Sequence, residues 1–205
     1  MNDPIVSKEQ IYFETIKCKN NTIYNLDYHN HRFNTTRKEI FGNDDFIDLK
    51  DFIKVPTKEL LKCKVNYAHS IIDIQFDKYK KRDIKKFKLV FDDAIEYKYK
   101  SSSRDKINKL FDKKEDCDEV IIVKNNLITD TSIANIAIMY NNIWLTPKTP
   151  LLSGTTRQRY LDNGVLQMAD ISVEMLLVAQ KIALLNAMID FDIIEEIIIH
   201  TGDKK

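Results

Sequence analysis

Hydrophobic residues alternate with polar ones in residues 10–28, where aromatic and β-branched side chains flank the pair Asn20-Asn21. A period of two is typical of strands, and an Asn-Asn pair suits a tight turn between them, so this pattern predicts a β-hairpin. In residues 31–42 the apolar positions are more widely spaced and the segment ends on Gly42. This second pattern predicts a helix that is closed by a glycine C-cap.

The middle of the chain alternates between helical and strand-like patterns. Residues 44–64 carry an amphipathic pattern that predicts a second helical region, with Pro56 fixing a boundary inside it. Residues 65–75 and 86–99 have the β-rich composition of strands. The charged run FDKYKKRDIKK between them is interpreted as a solvated turn. Residues 101–111 then predict another helix.

The second half of the chain is rich in short strand patterns. The segments EVIIVKNNLITD and NIAIMYNNIWLTP each contain two β-rich runs broken by an Asn-Asn pair, which predicts strands joined by tight turns. Residues 154–163 predict a helix, and ISVEMLLVAQKIALLNA predicts one more helix and then a strand. The last residues, HTGDKK, are expected to fray. The whole pattern predicts an α+β chain with a small lobe at residues 1–96 and a larger lobe at residues 97–205.

Composition excludes several kinds of partner. The 205 residues are 43% hydrophobic, which is enough for a substantial core, and 32 basic residues balance 31 acidic ones. A net charge of +1 offers no electrostatic basis for binding nucleic acid or a membrane surface. The first residues, MNDPIVSKEQ, lack a signal pattern, and no apolar run approaches the roughly 20 residues of a membrane-spanning helix. We therefore expect a soluble, cytoplasmic protein that binds neither nucleic acid nor a membrane.

Metal and disulfide sites are not predicted. The cysteines are odd in number and form no C-x-x-C pair; they are Cys18, Cys63 and Cys117. The segment from His29 to Arg32, with a second histidine between them, is either a metal cluster or the start of a helix. Because no further Cys or His lies at ligand spacing, we expect no metal.

Two lysines are candidates for chemistry. Lys98 and Lys100 share one face of an alternating segment at a junction between predicted elements. A strand-end lysine is usually a surface residue. It can form a Schiff base if its ammonium is partly desolvated and its pKa is lowered.

Two polar clusters interrupt apolar segments further along the chain. The run Gly-Thr-Thr-Arg at residues 154–157 lies at a predicted helix start, where backbone N–H groups favour a phosphate, although it also suits an ordinary capped helix. Asp130 and Asn135 interrupt the apolar stretch ITDTSIANIAI. A buried acid there would need a partner, whereas a turn aspartate would not.

The order of these motifs resembles one family, the class IV enzymes that depend on pyridoxal 5′-phosphate (PLP). The family includes branched-chain and D-amino-acid aminotransferases and aminodeoxychorismate lyases. Six segments carry the resemblance, in chain order: IYFETI, YHNHRF, YKSSSR, LITDTSIANI, IWLTP and LLSGTTR. It covers roughly residues 11–190 and implies the two-lobed α+β fold of fold-type IV enzymes, like that of D-amino-acid aminotransferase. The early position of Phe13 implies a shortened N-terminal lobe.

The resemblance also implies roles for individual residues. Lys100 would carry the internal aldimine with PLP and act as the catalytic residue, with Lys98 as the alternative. Arg104, four residues after Lys100, favours Lys100 because this spacing resembles the lyase branch. Asp130 would pair with the pyridine nitrogen, where the family usually has the longer glutamate. The other implied cofactor-binding residues are Arg32, Thr155 and Thr156 at the phosphate, and Asn135.

The resemblance to the lyases is stronger than that to the aminotransferases. The motifs Phe13-Glu14-Thr15 and Asn186-Ala187-Met188 are similar to lyase motifs. They imply conversion of 4-amino-4-deoxychorismate to 4-aminobenzoate and pyruvate, a step of folate biosynthesis. The alternatives are an aminotransferase acting on branched-chain or D-amino acids and a non-catalytic PLP-binding relative. We further expect a homodimer, with a small-molecule substrate contacted by Arg104, Arg157 and Asn186.

Overall fold

The computed structural model describes residues 10–201, which form two β-sheets. The first sheet contains four antiparallel strands. The sheet has the order β2-β1-β3-β4 and packs against helix α1. The elements of this part are β1 (Tyr12–Lys19), β2 (Thr22–Ile23), α1 (Leu26–Phe41), β3 (Leu61–Tyr67) and β4 (Ile71–Lys78).

The predicted hairpin and the helix that follows it are confirmed. Strands β1 and β2 pair antiparallel across Asn20 and Asn21, whose φ angles of 51° and 59° place both in the left-handed region. Helix α1 ends where predicted, because Gly42 has a φ of 72° and its N–H donates to the carbonyls of Arg37 and Lys38. The helix begins at Leu26, five residues earlier than the apolar spacing indicated.

The predicted helical region at residues 44–64 is wrong. Its only helical part is a 3₁₀ turn at Leu49–Asp51, and its last residues belong to β3. In β3 the buried residues alternate over most of the strand, so tertiary pairing with β1 overrides the helical pattern. The predicted strand at residues 65–75 is the end of β3 and most of β4, joined by a tight turn.

The second sheet forms most of the rest of the chain. Its main path has the order β10-β9-β8-β7-β6-β5-β13, and β11 pairs with β8 and β12. Strand pairs β5–β6, β5–β13 and β9–β10 are parallel and the others are antiparallel. The elements are β5 (Lys86–Phe91), α2 (Asp105–Phe111), β6 (Glu119–Lys124), β7 (Leu127–Thr131), β8 (Asn135–Tyr140), β9 (Ile143–Pro147), α3 (Thr155–Asp162), β10 (Gln167–Ala169), α4 (Val173–Leu177), β11 (Lys181–Asn186), β12 (Asp190–Ile194) and β13 (Ile198–His200).

Most predictions for this part are confirmed. The Asn-Asn turns join β6 to β7 and β8 to β9, and α3 follows Gly154 as its spacing indicated. The strand predicted at residues 86–99 ends at Phe91, and the helix predicted at 101–111 begins at Asp105. The helix α4 has only five residues. The tail after residue 201 lies outside the described residues.

The two sheets divide the chain earlier than the predicted lobe boundary at residue 96. Strand β5 pairs with β6 and β13, so it belongs to the second sheet. We therefore propose that the lobes divide between Lys78 and Lys86, in the charged linker. Within residues 10–201, no helix is long and apolar enough to cross a membrane.

Candidate functional site

Glu14 is a carboxylate on the buried face of β1. Its neighbours on that face are Tyr12, Ile16 and Cys18, all of them core residues, and Glu14 itself is 0% exposed. A buried carboxylate is stable only when charge-assisted hydrogen bonds replace its water. Two residues on α1 supply them.

His29 and Arg32 lie three positions apart on one face of α1, directly against Glu14. Arg32 donates from Nε to Glu14 Oε1 (2.8 Å) and from Nη2 to Glu14 Oε2 (2.6 Å), and His29 Nδ1 lies 2.7 Å from Oε2. Burial raises the pKa of Glu14, but the Arg32 charge and these hydrogen bonds outweigh it and lower that pKa to about 2. Burial lowers the pKa of His29, so a neutral imidazole donates from Nδ1.

Lys100 lies in the segment between β5 and α2. The chain is held there because Phe13 N–H donates to the Lys100 carbonyl (2.9 Å). Burial is the main cause that lowers the pKa of Lys100 to about 7, and the positive charge of Arg32 adds to it. The negative charge of Glu14 raises this pKa but does not outweigh them. A substantial fraction of its amine is therefore in the neutral, nucleophilic form near neutral pH.

Lys98 is in the opposite situation. Its side chain is 70% exposed, and its ammonium pairs with Glu39 on α1 (3.2 Å). Hydrogen bonds with Tyr99 and Glu39 raise its pKa. The structure thus separates the two lysines by environment, although both were candidates in the sequence.

Asp130 and Asn135 face each other across the β7–β8 pair. Asn135 Nδ2 donates to Asp130 Oδ1 (2.7 Å), and the backbone N–H of Leu152 donates to Asp130 Oδ2 (2.9 Å). Burial raises the pKa of Asp130 to about 6, although these hydrogen bonds and the charge of Arg157 oppose the shift. Asp130 and Lys100 line the same small cavity of about 60 Å³.

The loop before α3 lies next to Arg32. Arg32 Nη1 approaches the Ser153 carbonyl (3.4 Å), and a cavity of about 250 Å³ is lined by Arg32, Gly154 and Thr155. A guanidinium beside a helix N-terminus is suited to an anion such as a phosphate. Thr156 is buried and is not among the residues that line this cavity.

A larger cavity of about 410 Å³ adjoins the small one, with Lys100, Arg104 and Ile133 lining both. Its walls include a cluster of basic side chains and one carboxylate, Asp192. The basic residues are Lys62, Lys80, Arg82, Lys100 and Arg104. Lys80 and Arg82 come from the charged run FDKYKKRDIKK, which was interpreted from the sequence as a solvated turn.

Two of the three predicted substrate residues line the larger cavity beside Lys100, and the third, Arg157, does not. Arg104 lines both cavities and donates from Nη2 to the Ser132 carbonyl (2.7 Å), and Asn186 lines the larger one. Arg157 instead lies inside the second lobe and donates to Thr146 Oγ1 (3.2 Å) and the Pro147 carbonyl (2.7 Å). It lines neither cavity that contains Lys100.

One group of possible metal ligands lies elsewhere in the described part of the chain. The side chains of Asp116, Cys117 and His200 place ligand atoms within 4.8 Å of one another. None of these residues lines the cavities around Lys100. The group is separate from the candidate site.

Comparison with known proteins identifies the family. Residues 98–197 match the family model described as amino-transferase class IV. An uncharacterized protein of Haemophilus influenzae is 35% identical over 181 residues, which cover 86% of this chain and 96% of that protein. The chain belongs to the class IV aminotransferase family. It is therefore a member of a family of PLP-dependent enzymes.

Solved structures agree with this assignment. A candidate 4-amino-4-deoxychorismate lyase from Haemophilus somnus 129PT is 31% identical with a TM-score of 0.81, covering 89% of this chain and 98% of that one. A hypothetical aminotransferase from Mycobacterium tuberculosis, in a PLP-bound form, is 15% identical with a TM-score of 0.77, covering 94% and 82%. The fold is that of fold-type IV enzymes, as the sequence predicted.

Glu14 and His29 have a place in the candidate site that the motifs did not predict. The available signal was a carboxylate at an inward position of an alternating apolar strand, which requires a buried partner. The pairing between Glu14 and Arg32 joins residues 18 positions apart and depends on how α1 packs on β1.

Proposed function

We propose that this chain is a PLP-dependent lyase that uses Lys100 to bind the cofactor covalently and to move protons. The observation that supports this most directly is the half-buried Lys100 between two cavities, whose pKa of about 7 contrasts with the exposed, paired Lys98. An uncharged amine can bond to an aldehyde carbon and can accept a proton from a substrate held beside it.

The donor set of the site fits PLP. Arg32 and the N-terminus of α3 at Thr155 would hold the phosphate, and Asp130 would pair with the pyridine nitrogen. When bound there, PLP supplies an electron sink that stabilises negative charge at the substrate carbon. The network of Glu14 and His29 holds Arg32 in place and leaves Nη1 directed toward the loop before α3.

The cavity next to Lys100 favours an anionic substrate. Its volume of about 410 Å³ suits a ring-sized small molecule, and its basic lining would attract carboxylates. The substrate 4-amino-4-deoxychorismate carries two carboxylates. In the proposed reaction Lys100 accepts the proton from the ring carbon that bears nitrogen, and the bond between the ring and the enolpyruvyl oxygen breaks. The departing enol takes up a proton to give pyruvate, and the ring becomes aromatic 4-aminobenzoate. The name of the Haemophilus somnus relative supports the same substrate.

An assay without any keto acid tests the lyase. Purified, PLP-loaded protein should convert 4-amino-4-deoxychorismate to equal amounts of pyruvate and 4-aminobenzoate. Absence of both products from folded, loaded protein would rule the lyase out. The family description favours the second candidate, an aminotransferase. That enzyme would act only when an amino donor and a keto-acid acceptor are both present, whereas a non-catalytic relative would bind PLP without turnover in either assay.

A matched pair of variants tests the choice of lysine. Lys100→Ala should abolish the visible absorbance of lysine-bound PLP and lower kcat by at least 10²–10⁴-fold, because it removes the nucleophile and the proton acceptor together. Lys98→Ala, which removes a similar but exposed side chain, should keep the visible absorbance and the kcat of wild type. The opposite result would move the assignment to Lys98.

A further inference from the structure

Asn135 lies between the two ends of the proposed cofactor site. It begins β8, is 5% exposed, and is the register partner of Asp130. Its Nδ2 donates to Asp130 Oδ1 (2.7 Å) and to the Leu152 carbonyl (2.8 Å). A side-chain amide has two hydrogens on nitrogen, so both of its donors are already used within the protein.

Leu152 closes this arrangement into a ring of hydrogen bonds. Its carbonyl accepts from Asn135 while its N–H donates to Asp130 Oδ2 (2.9 Å). Each Asp130 oxygen therefore accepts a hydrogen bond from a fixed donor. The orientation of the carboxylate is consequently tied to the position of the loop that leads to α3.

Gly154 shows that Asn135 also packs directly against this loop. A Cβ added to Gly154 would lie 1.9 Å from Asn135 Oδ1, a distance that real contacts do not reach, and 3.0 Å from its Cγ. The backbone of Gly154 has φ −74° and ψ 140°, a conformation open to any residue. The space taken by the Asn135 amide, and not backbone strain, is thus the obstacle to a side chain at residue 154.

We propose that Asn135 is a positioning residue that sets Asp130 and the loop at residues 152–155 as a single unit. It acts on the ring end of the cofactor through Asp130 and on the phosphate end through Leu152 and Gly154, without donating to the cofactor itself. This inference rests on the proposed function, because it takes the site to be a PLP site. It changes the expected role of Asn135 from cofactor binding to alignment of the groups that bind.

Binding of two probes tests the proposal without any turnover. The dissociation constants of PLP and of inorganic phosphate are measured for wild type, Asn135→Ala and Asp130→Ala. Asn135→Ala should weaken both probes about tenfold, or about 1.4 kcal/mol, because it removes the hydrogen bonds that hold the loop. Asp130→Ala should weaken PLP more than phosphate, because it removes the contact to the ring but leaves the hydrogen bond from Asn135 to the Leu152 carbonyl. If Asn135→Ala binds phosphate as tightly as wild type, the proposal is overturned.

A double-mutant cycle with Gly154→Ala supplies the second test. Gly154→Ala alone should displace Asn135 and weaken PLP as much as Asn135→Ala does, and the double variant should be no worse than either single variant. Additive losses would mean that the two residues act independently and would contradict the proposal. The pH midpoint of the visible absorbance of bound PLP should also shift in Asn135→Ala but not in Asn108→Ala, an exposed asparagine on α2.

The outcomes separate this inference from the proposed function. If wild type binds PLP and the Asn135 variants bind it equally well, only the positioning role fails. If folded wild type shows no PLP binding, both the proposed function and the positioning role of Asn135 are contradicted. Thermal unfolding of each variant without ligand identifies any loss that comes from misfolding instead.

Discussion

At the scale of single residues, burial shifts the pKa of three site groups, and the neighbours decide the net direction. Burial disfavours the charged form of Asp130 and raises its pKa to about 6, and it lowers the pKa of Lys100 to about 7. Glu14 is fully buried, but Arg32 and His29 lower its pKa to about 2. Glu14 therefore remains a permanent anion, while Lys100 and Asp130 can change charge near neutral pH.

Glu14→Gln tests the strength of this network. The folded-state pKa of about 2 lies below the ordinary 4.5, so the carboxylate contributes about 3 kcal/mol of stability above pH 4.5, which is lost as the pH falls toward 2. The free energy of unfolding of the variant at pH 7, measured by urea titration, should therefore be about 3 kcal/mol lower than that of wild type. The difference from wild type should shrink between pH 4.5 and pH 2. A difference that stays constant over this range would exclude the ion-pair explanation.

At the scale of elements, the predictable parts of the fold are those governed by local geometry. All three Asn-Asn pairs form turns in which both residues have φ between 51° and 62°. These angles match the type I′ turn that joins twisted strands, so the pairs could be recognised in the sequence. Residues 44–64 could not be assigned correctly, because their structure depends on the pairing of β3 with β1 and on contacts from α1.

Substitutions at Asn126 test the turn between β6 and β7. Asn126→Ala should lower the free energy of unfolding by about 1 kcal/mol, because an alanine at a φ of 62° suffers the left-handed strain that asparagine tolerates. Asn126→Gly should be neutral or stabilising, since glycine adopts this angle freely. Urea unfolding of the two variants measures the contrast. Equal stabilities would contradict the turn assignment.

At the scale of the whole molecule, the candidate site lies where the two sheets meet. Glu14 and Arg32 come from the first part of the chain, whereas Asp130 and Thr155 come from the second. Contacts across this junction include the Tyr12–Ser101 bridge and the hydrogen bond from Tyr99 to Glu39 (2.6 Å). A ligand that binds residues from both parts should therefore stabilise their docking.

Thermal unfolding in the presence of PLP tests this arrangement. A ligand at 100 times its Kd adds about 2.7 kcal/mol to the stability of the folded state, so Tm should rise with PLP concentration. Lys100→Ala should reduce the rise without removing it, because the Arg32 and Asp130 contacts remain. No rise in Tm for wild type at saturating PLP would show that PLP does not bind this junction.

The sequence by itself determined the family, the order of the motifs and the elements whose period and turns are local. The helix after Gly154 and the strands around each Asn-Asn pair are of this kind, because neighbouring residues suffice to specify them. Only the tertiary structure decided that Lys100 is half-buried while Lys98 is exposed, and that Glu14 pairs with Arg32. These features depend on burial and on contacts between distant segments, which set the pKa values and cannot be read from adjacent residues.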